Sequence, residues 1–330
     1  MQKKTELHNL PQDIIENEIG QFLDGNDISQ LALVSKTTQG LFQPHRMQMI
    51  ANKLLLQVMH GEQDKAEEIL KRHPELLEMT GTATDYSGRT FNTTAFRYAL
   101  WALDTRYMCN MMLDCLPDSP QGEAIKQALL AQFKSHEQDG VLYQLNGETI
   151  HEKHYDFSSL VEALQTYVND YDDWWNKDAI INQWSTVVGL AQHYVPAHVA
   201  QHYCDPDESF DPTPQFNKKT FKREFKFING MNDKPEFWFA PVSSTKACVP
   251  IVLGGFCVSG PVLGVDCGIL RGGSVLGAGG GLVGTHLAWI LIDLAAMTAL
   301  CTVRKQDLAL LIQRLEGPIQ KLDVDHGSTP

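Results

Sequence analysis

The sequence predicts a mainly α-helical protein, and three observations carry that expectation. Apolar residues recur at helical spacing over most of the 330-residue chain, starting with Ile14, Ile15, Ile19, Phe22 and Leu23. Turn chemistry falls between these stripes, as in "DGND" at 24–27, at Gly61, and at Pro74 and Pro117. The departures are local. Phe221, Phe225 and Phe227 alternate with charge, which is compatible with a strand or short helix, and residues 247–285 are Gly-rich and irregular or short-stranded.

From the N-terminus, residues 10–42 read as helix, turn, helix. Pro11 suits a first-turn position, where its missing N–H would have no intrahelical partner anyway. Asp27 can cap the next segment through its side-chain oxygen. Ile28, Leu31, Ala32 and Val34 form the second apolar stripe, and Pro44 is expected to end the unit. Residues 47–79 read as two helices broken at "HGEQD", with Gly61 as a C-cap and the second helix ending near Pro74. A polar turn at Ser87 and Gly88 then leads to a helix pair ending at Pro117.

Residues 121–204 are expected to be mostly helical. Ser158 or Ser159 starts a stripe of Leu160, Leu164, Val168, Tyr171, Ile180, Trp184 and Val187. Residues 205–217 read as a Pro- and Asp-rich loop. Residues 286–316 return to helix, with Asp307, Leu308, Leu311, Ile312 and Leu315 marking the inward face. The domain expectation is 1–46, 47–118 and 119–330, the last being a C-terminal helical and Gly-rich domain.

The net charge of -13 argues against a generic grip on nucleic acid or an anionic membrane and suits protein partners. Seven cysteines without a CxxC pair indicate neither a disulfide framework nor a zinc knuckle, so a reducing, cytoplasmic compartment is the simpler reading. The N-terminus lacks the apolar core of a secretory signal peptide, which leaves export by a route reading another signal open.

Residues 10–36 resemble the F-box. That motif opens with Leu-Pro and continues with spaced apolar residues, an Asp followed by an apolar residue, then Leu-x-x-Val and a basic residue. Here these are Leu10, Pro11, Ile14, Ile15, Ile19, Leu23, Asp27, Ile28, Leu31, Val34 and Lys36. Thr38 stands where many F-boxes carry Trp. In the family this unit packs on Skp1, the adaptor of a cullin-RING ubiquitin ligase. The resemblance implies a Skp1-like partner and an unknown protein target. It implies partner-binding roles for Leu10, Pro11, Ile14, Ile15, Ile19, Leu23, Ile28, Leu31 and Val34. Ubiquitin transfer would belong to the partner ligase, with no cofactor and no catalytic residue assigned to this chain. The run "GRTFNTTAFRYALWALD" is similar to part of an ankyrin repeat through Thr94, Ala95, Phe96, Tyr98 and Ala99, although no period of roughly 33 residues follows. An F-box followed by ankyrin-like helices resembles the effectors that intracellular bacteria deliver into the host cytosol.

Other chemistry is weaker. His198 and His202 share a face of a helix beginning at Pro196 and have chelating spacing, with His193 and Cys204 nearby, but core or surface histidines are the simpler reading. "HEKHYD" at 151–156 is weaker still. Gly279, Gly281 and Gly284 have dinucleotide-loop spacing but lack the acidic residue at the required distance, since Asp293 comes too early. Cys267, His286 and Asp293 have no spacing that supports a thiol triad. Tyr171, Trp174, Trp175, Phe237, Trp238 and Phe239 read as core before interface. Residues 247–265 and 272–292 lack Asp, Glu, Lys and Arg at span length, yet their glycines and prolines argue against a membrane hairpin. Two alternatives to the adaptor stay open: an enzyme with an unidentified site in 119–330, and membrane insertion through 247–292.

Overall fold

A computed structural model describes residues 27, 30, 36–170, 187–205, 213–220, 222–223, 226–229, 234–237 and 287–318. Leu10, Pro11, Ile14, Ile15, Ile19, Leu23, Ile28, Leu31 and Val34 lie outside these, as does the Gly-rich segment 247–285. The described chain is mostly helical with a small antiparallel sheet.

Helix α1 (Lys36–Met59) opens it. Pro44 lies inside this helix instead of ending it, so the boundary expected at 46 falls within one continuous element. A proline in a helix interior costs about 3 kcal/mol through its missing N–H and its crowded ring. Burial of Ala51, Leu54, Leu55, Val58 and Met59, at i, i+3, i+4, i+7 and i+8, offsets that cost. At the C-terminus Gly61 has φ 68 and donates to Val58 O, while Glu62 N donates to Gln57 O. This is the double bond of a Schellman cap, as the sequence predicted. Helix α2 (Gln63–Arg72) and a 3-10 turn (Pro74–Glu78) follow.

Next comes a hairpin of β1 (Thr80–Thr84) and β2 (Thr90–Thr94). Asp85 holds its turn, accepting from Ser87 N at 2.9 Å and Arg89 N at 3.0 Å, and Gly88 supplies the positive φ of 85. The outer edge of β1 is covered by α1: Gln48 Nε2 donates to Thr80 O at 2.8 Å, and Asn52 Oδ1 accepts from Thr82 N at 2.9 Å. Covering an edge this way removes a template for unwanted pairing.

The stretch similar to an ankyrin run folds as β2 and then α3 (Ala95–Trp101), with Thr94 capping the helix by accepting from Arg97 N. A π-helical turn (Thr105–Cys109), α4 (Asn110–Asp114) and α5 (Pro120–Asp139) complete the crossover to β3. The described part of 121–204 is mostly helical, as expected, but β3 (Val141–Leu145) and β4 (Glu148–Glu152) form a second hairpin there that the helical pattern did not announce. Asn146 and Gly147 make its two-residue turn with φ 52 and 84, the conformation that matches strand twist. The sheet order is β1-β2-β3-β4, antiparallel throughout.

Helix α6 (Ser158–Asn169) is started by Asp156, whose carboxylate accepts from Ser158 N and Oγ, and neither serine acts as the cap. Helix α7 (Gly189–His193), α8 (Ala197–Cys204), a hairpin of β5 (Lys226–Asn229) and β6 (Lys234–Phe237), and α9 (Leu287–Glu316) follow. One hydrophobic cluster runs from Ala51 to Leu315, so residue 118 separates no two cores among the described residues. Its aromatic hub is Trp101, which packs on Phe91, Tyr143 and Tyr155. Above it lies the guanidinium of Arg89, 4.7 Å from the ring centroid and paired with Asp85 at 2.8 Å. No helix among the described residues is long and apolar enough to cross a membrane.

Candidate functional site

The densest polar chemistry lies where α3, α8 and α9 converge. It begins with strain in the backbone. Leu103 has φ 59, a conformation that costs a non-glycine residue about 1–2 kcal/mol. The following turn is π-helical, with Asp104 N donating to Ala99 O and Cys109 N to Asp104 O. Such strain and π turns concentrate at functional positions. Here they carry Asp104 into the interior and aim Arg106 and Tyr107 along one wall.

Asp104 is buried. Burial works against its charge, but Arg223, His198 and Arg304 outweigh that and hold the carboxyl below the usual range. Arg223 makes a fork on it: Nη2 donates to Oδ1 at 3.0 Å and Nη1 lies 2.9 Å from Oδ2. The same guanidinium donates to Gln63 Oε1 at 2.9 Å and to Gln201 Oε1 at 3.1 Å. Gln201 is itself fixed, because its Nε2 donates to Gly61 O at 3.1 Å.

Helix α8 brings in both histidines of the metal-like spacing. Their ring centroids are 6.4 Å apart, and each ring serves the interior. His198 Nε2 donates to Ala102 O at 2.6 Å, and burial brings its pKa down to about 4. His202 faces Arg304 Nη2 at 3.3 Å, and burial with that guanidinium keeps it well below its ordinary value. No group of three or more metal-ligating side chains forms among the described residues. Beside His198, Asp104 and Tyr98 sits a cavity of about 10 Å³, the room of one water molecule.

Helix α9 adds Arg304, fully buried, and Asp307. Arg304 donates to Asp307 Oδ2 at 2.6 Å, and Arg106 reaches Asp307 Oδ1 at 2.6 Å. Residues 213–220 and 222–223, a strap without regular structure, cross this surface. Three consecutive strap carbonyls accept side-chain donors: Phe216 O from Arg304 at 3.2 Å, Asn217 O from Arg106 at 3.3 Å and Lys218 O from Tyr107 Oη at 3.0 Å. Phe216 is buried and meets His202 edge-on at 5.4 Å.

Of the other sequence candidates, His151, Glu152 and His154 do not join this centre. His154 Nε2 pairs with Glu137 at 3.0 Å, and Glu152 accepts from Trp101 Nε1 at 3.0 Å. Cys267, His286 and the 279–284 glycines lie outside the described residues. Asp104, Arg106, Arg223 and Arg304 were not singled out in the sequence. One signal was present: Arg304 and Asp307 sit three apart on the inward stripe of a helix, where a charge needs a partner.

No solved structure matches this chain. Residues 159–315, which hold α6 to α9 and the strap, match the family described as the CBUA0006 C-terminal domain. The uncharacterized protein CBUA0006 of Coxiella burnetii (strain RSA 493 / Nine Mile phase I) is 35% identical over 285 residues, covering 82% of this chain and 76% of that protein. With identity at that level across four-fifths of its length, the chain belongs to the CBUA0006 family.

Proposed function

We propose that the chain is an F-box adaptor of a bacterial effector kind. In this reading its N-terminal unit holds a Skp1-like protein of a cullin-RING ligase in a host cell, and the rest presents a target. The observation that carries the reading is the run Leu10, Pro11, Ile14, Ile15, Ile19, Leu23, Asp27, Ile28, Leu31, Val34 and Lys36. Lys36, the last residue of that run, lies in α1, whose later residues Phe42 and Ala51 are buried. The bacterial relative accords with an effector.

The test is a pull-down of purified Skp1 by the full chain and by a Leu10→Ala, Pro11→Ala variant. Capture by the wild type and loss in the variant support the reading. No capture by the wild type, or equal capture by both, removes it.

A further inference from the structure

We infer that the free edge of β4 is a docking site for an extended segment of another protein, which adds a further antiparallel strand and carries two basic residues with an apolar residue midway between them. The backbone supplies the first reason. The two-residue turn at Asn146 and Gly147 makes Leu145 and Glu148 a hydrogen-bonded pair. Alternation along the ladder does the same for Tyr143 with Ile150 and for Val141 with Glu152. The N–H and C=O groups of Thr149 and His151 therefore point away from β3. Both residues are exposed, and among the described residues no hydrogen bond reaches these backbone groups. The opposite edge of the sheet is treated differently, because Gln48 and Asn52 of α1 seal β1. A row of unpaired donors and acceptors is what an added strand pairs with.

Charge chooses the occupant. Glu148, Ile150 and Glu152 lie on the other face of β4 from Thr149 and His151. Neither carboxylate has an ion-pair partner among the described residues, and Glu152 accepts from the neutral Trp101 Nε1 at 3.0 Å. The cations beside the strand are engaged elsewhere. Lys153 pairs with Glu137 at 2.7 Å, His154 meets the same carboxylate at 3.0 Å, and Arg97 donates to Gly140 O.

Side chains directly opposite on paired strands lie about 5 Å apart, where opposite charges stabilise and like charges repel. A second copy of this chain, paired so that Thr149 and His151 of both edges are all bonded, would set Glu148 of each copy against Glu152 of the other. Lysine or arginine in those two places, with an apolar residue facing Ile150, answers the edge instead. The carboxylates that oppose self-pairing thus select a basic strand. The inference goes beyond the adaptor reading and does not need it, because its test contains no Skp1.

The experiment titrates the isotope-labelled full chain with the end-blocked peptide Thr-Lys-Thr-Val-Thr-Lys-Thr and follows amide exchange by NMR. The expected result is saturable binding at or below about 1 mM, with slowed exchange at the Thr149 and His151 amides and no change at Ile150, which is already bonded to Tyr143. Methylating the backbone nitrogens of the two threonines beside valine, which face β4, should abolish binding. Methylating the valine nitrogen, which faces away, should not. A peptide with glutamate for both lysines should bind at least about fivefold more weakly. Glu148→Lys in the chain, a change at an exposed side chain, should weaken the original peptide by about threefold or more, and glutamate in place of the lysine facing it should recover the loss. The inference is overturned by no saturable binding at about 1 mM, by protection away from β4, by equal tolerance of both methylations, or by no preference between the lysine and glutamate peptides. A dimer of the chain that protects the same amides without peptide would overturn it in favour of a second copy.

Discussion

Arg223 and Asp104 form a forked ion pair across 119 residues of sequence, at 2.9 and 3.0 Å, with both side chains nearly sealed from solvent. The pair ties the strap to the turn after α3. Removing one partner from a buried pair is costlier than removing both, because the survivor keeps its desolvated charge.

Arg223→Ala should therefore destabilise the chain by about 3–5 kcal/mol, with a matching fall in the urea midpoint. An Asp104→Asn, Arg223→Gln double variant should lose less than the sum of its two singles. Simple additivity in a double-mutant cycle would show that the two charges are not coupled.

Gly61 answers to two constraints at once. Its φ of 68 closes the α1 cap, and a Cβ there would lie 2.4 Å from Gln201 Oε1. Gly61→Ala should cost about 1–2 kcal/mol from the left-handed conformation alone, and more from the displaced glutamine. Adding Gln201→Ala should recover the second part and leave the first. Full recovery in thermal unfolding would mean the backbone conformation costs nothing.

The Gly61 cap was legible because its signal is local: an apolar stripe, a glycine and a break. The inward stripe of α9 was legible for the same reason, and Leu311 and Leu315 are buried where the spacing placed them. The second hairpin was legible in principle, since Asn146-Gly147 is the strongest short hairpin signal and Val141 and Tyr143 alternate around it. The helical pattern on either side obscured it. The polar centre was not legible. Asp104, Arg223 and Arg304 come together only through the fold, and a charged residue in a loop reads as solvated until its burial is known. Pro44 misled for a physical reason: a proline usually ends a helix, and here packing further along outweighs the local penalty.

Asn146→Ala tests that second hairpin on its own. The residue holds φ 52, which asparagine tolerates through local hydrogen bonding and alanine does not. The expected loss is about 1 kcal/mol, with faster amide exchange across β3 and β4 and little change in α9. Exchange that rises equally in α9 would show that the hairpin does not open as its own unit.

Acid should unfold the protein through its buried histidines. Burial first, then His154 and Arg97, bring His136 down to about 3. Burial brings His198 to about 4 despite Asp104, and His202 lies well below its ordinary value. Between those values and about 6.5 the unfolded chain binds these protons and the folded chain does not, so stability rises with pH. The contribution is complete above about pH 6.5 and is lost as pH falls toward the folded values. Asp104 acts in the same direction at lower pH. Its carboxyl is held down in the fold, so its contribution is lost as pH falls below the unfolded value of about 3.9. For His198 the shift sets a ceiling of about 3 kcal/mol. Urea midpoints should fall steadily from pH 7 to pH 5, and His198→Gln, which keeps a donor for Ala102 O, should flatten the slope. An unchanged slope in that variant would mean that His198 takes up its proton in the folded state as readily as in the unfolded one.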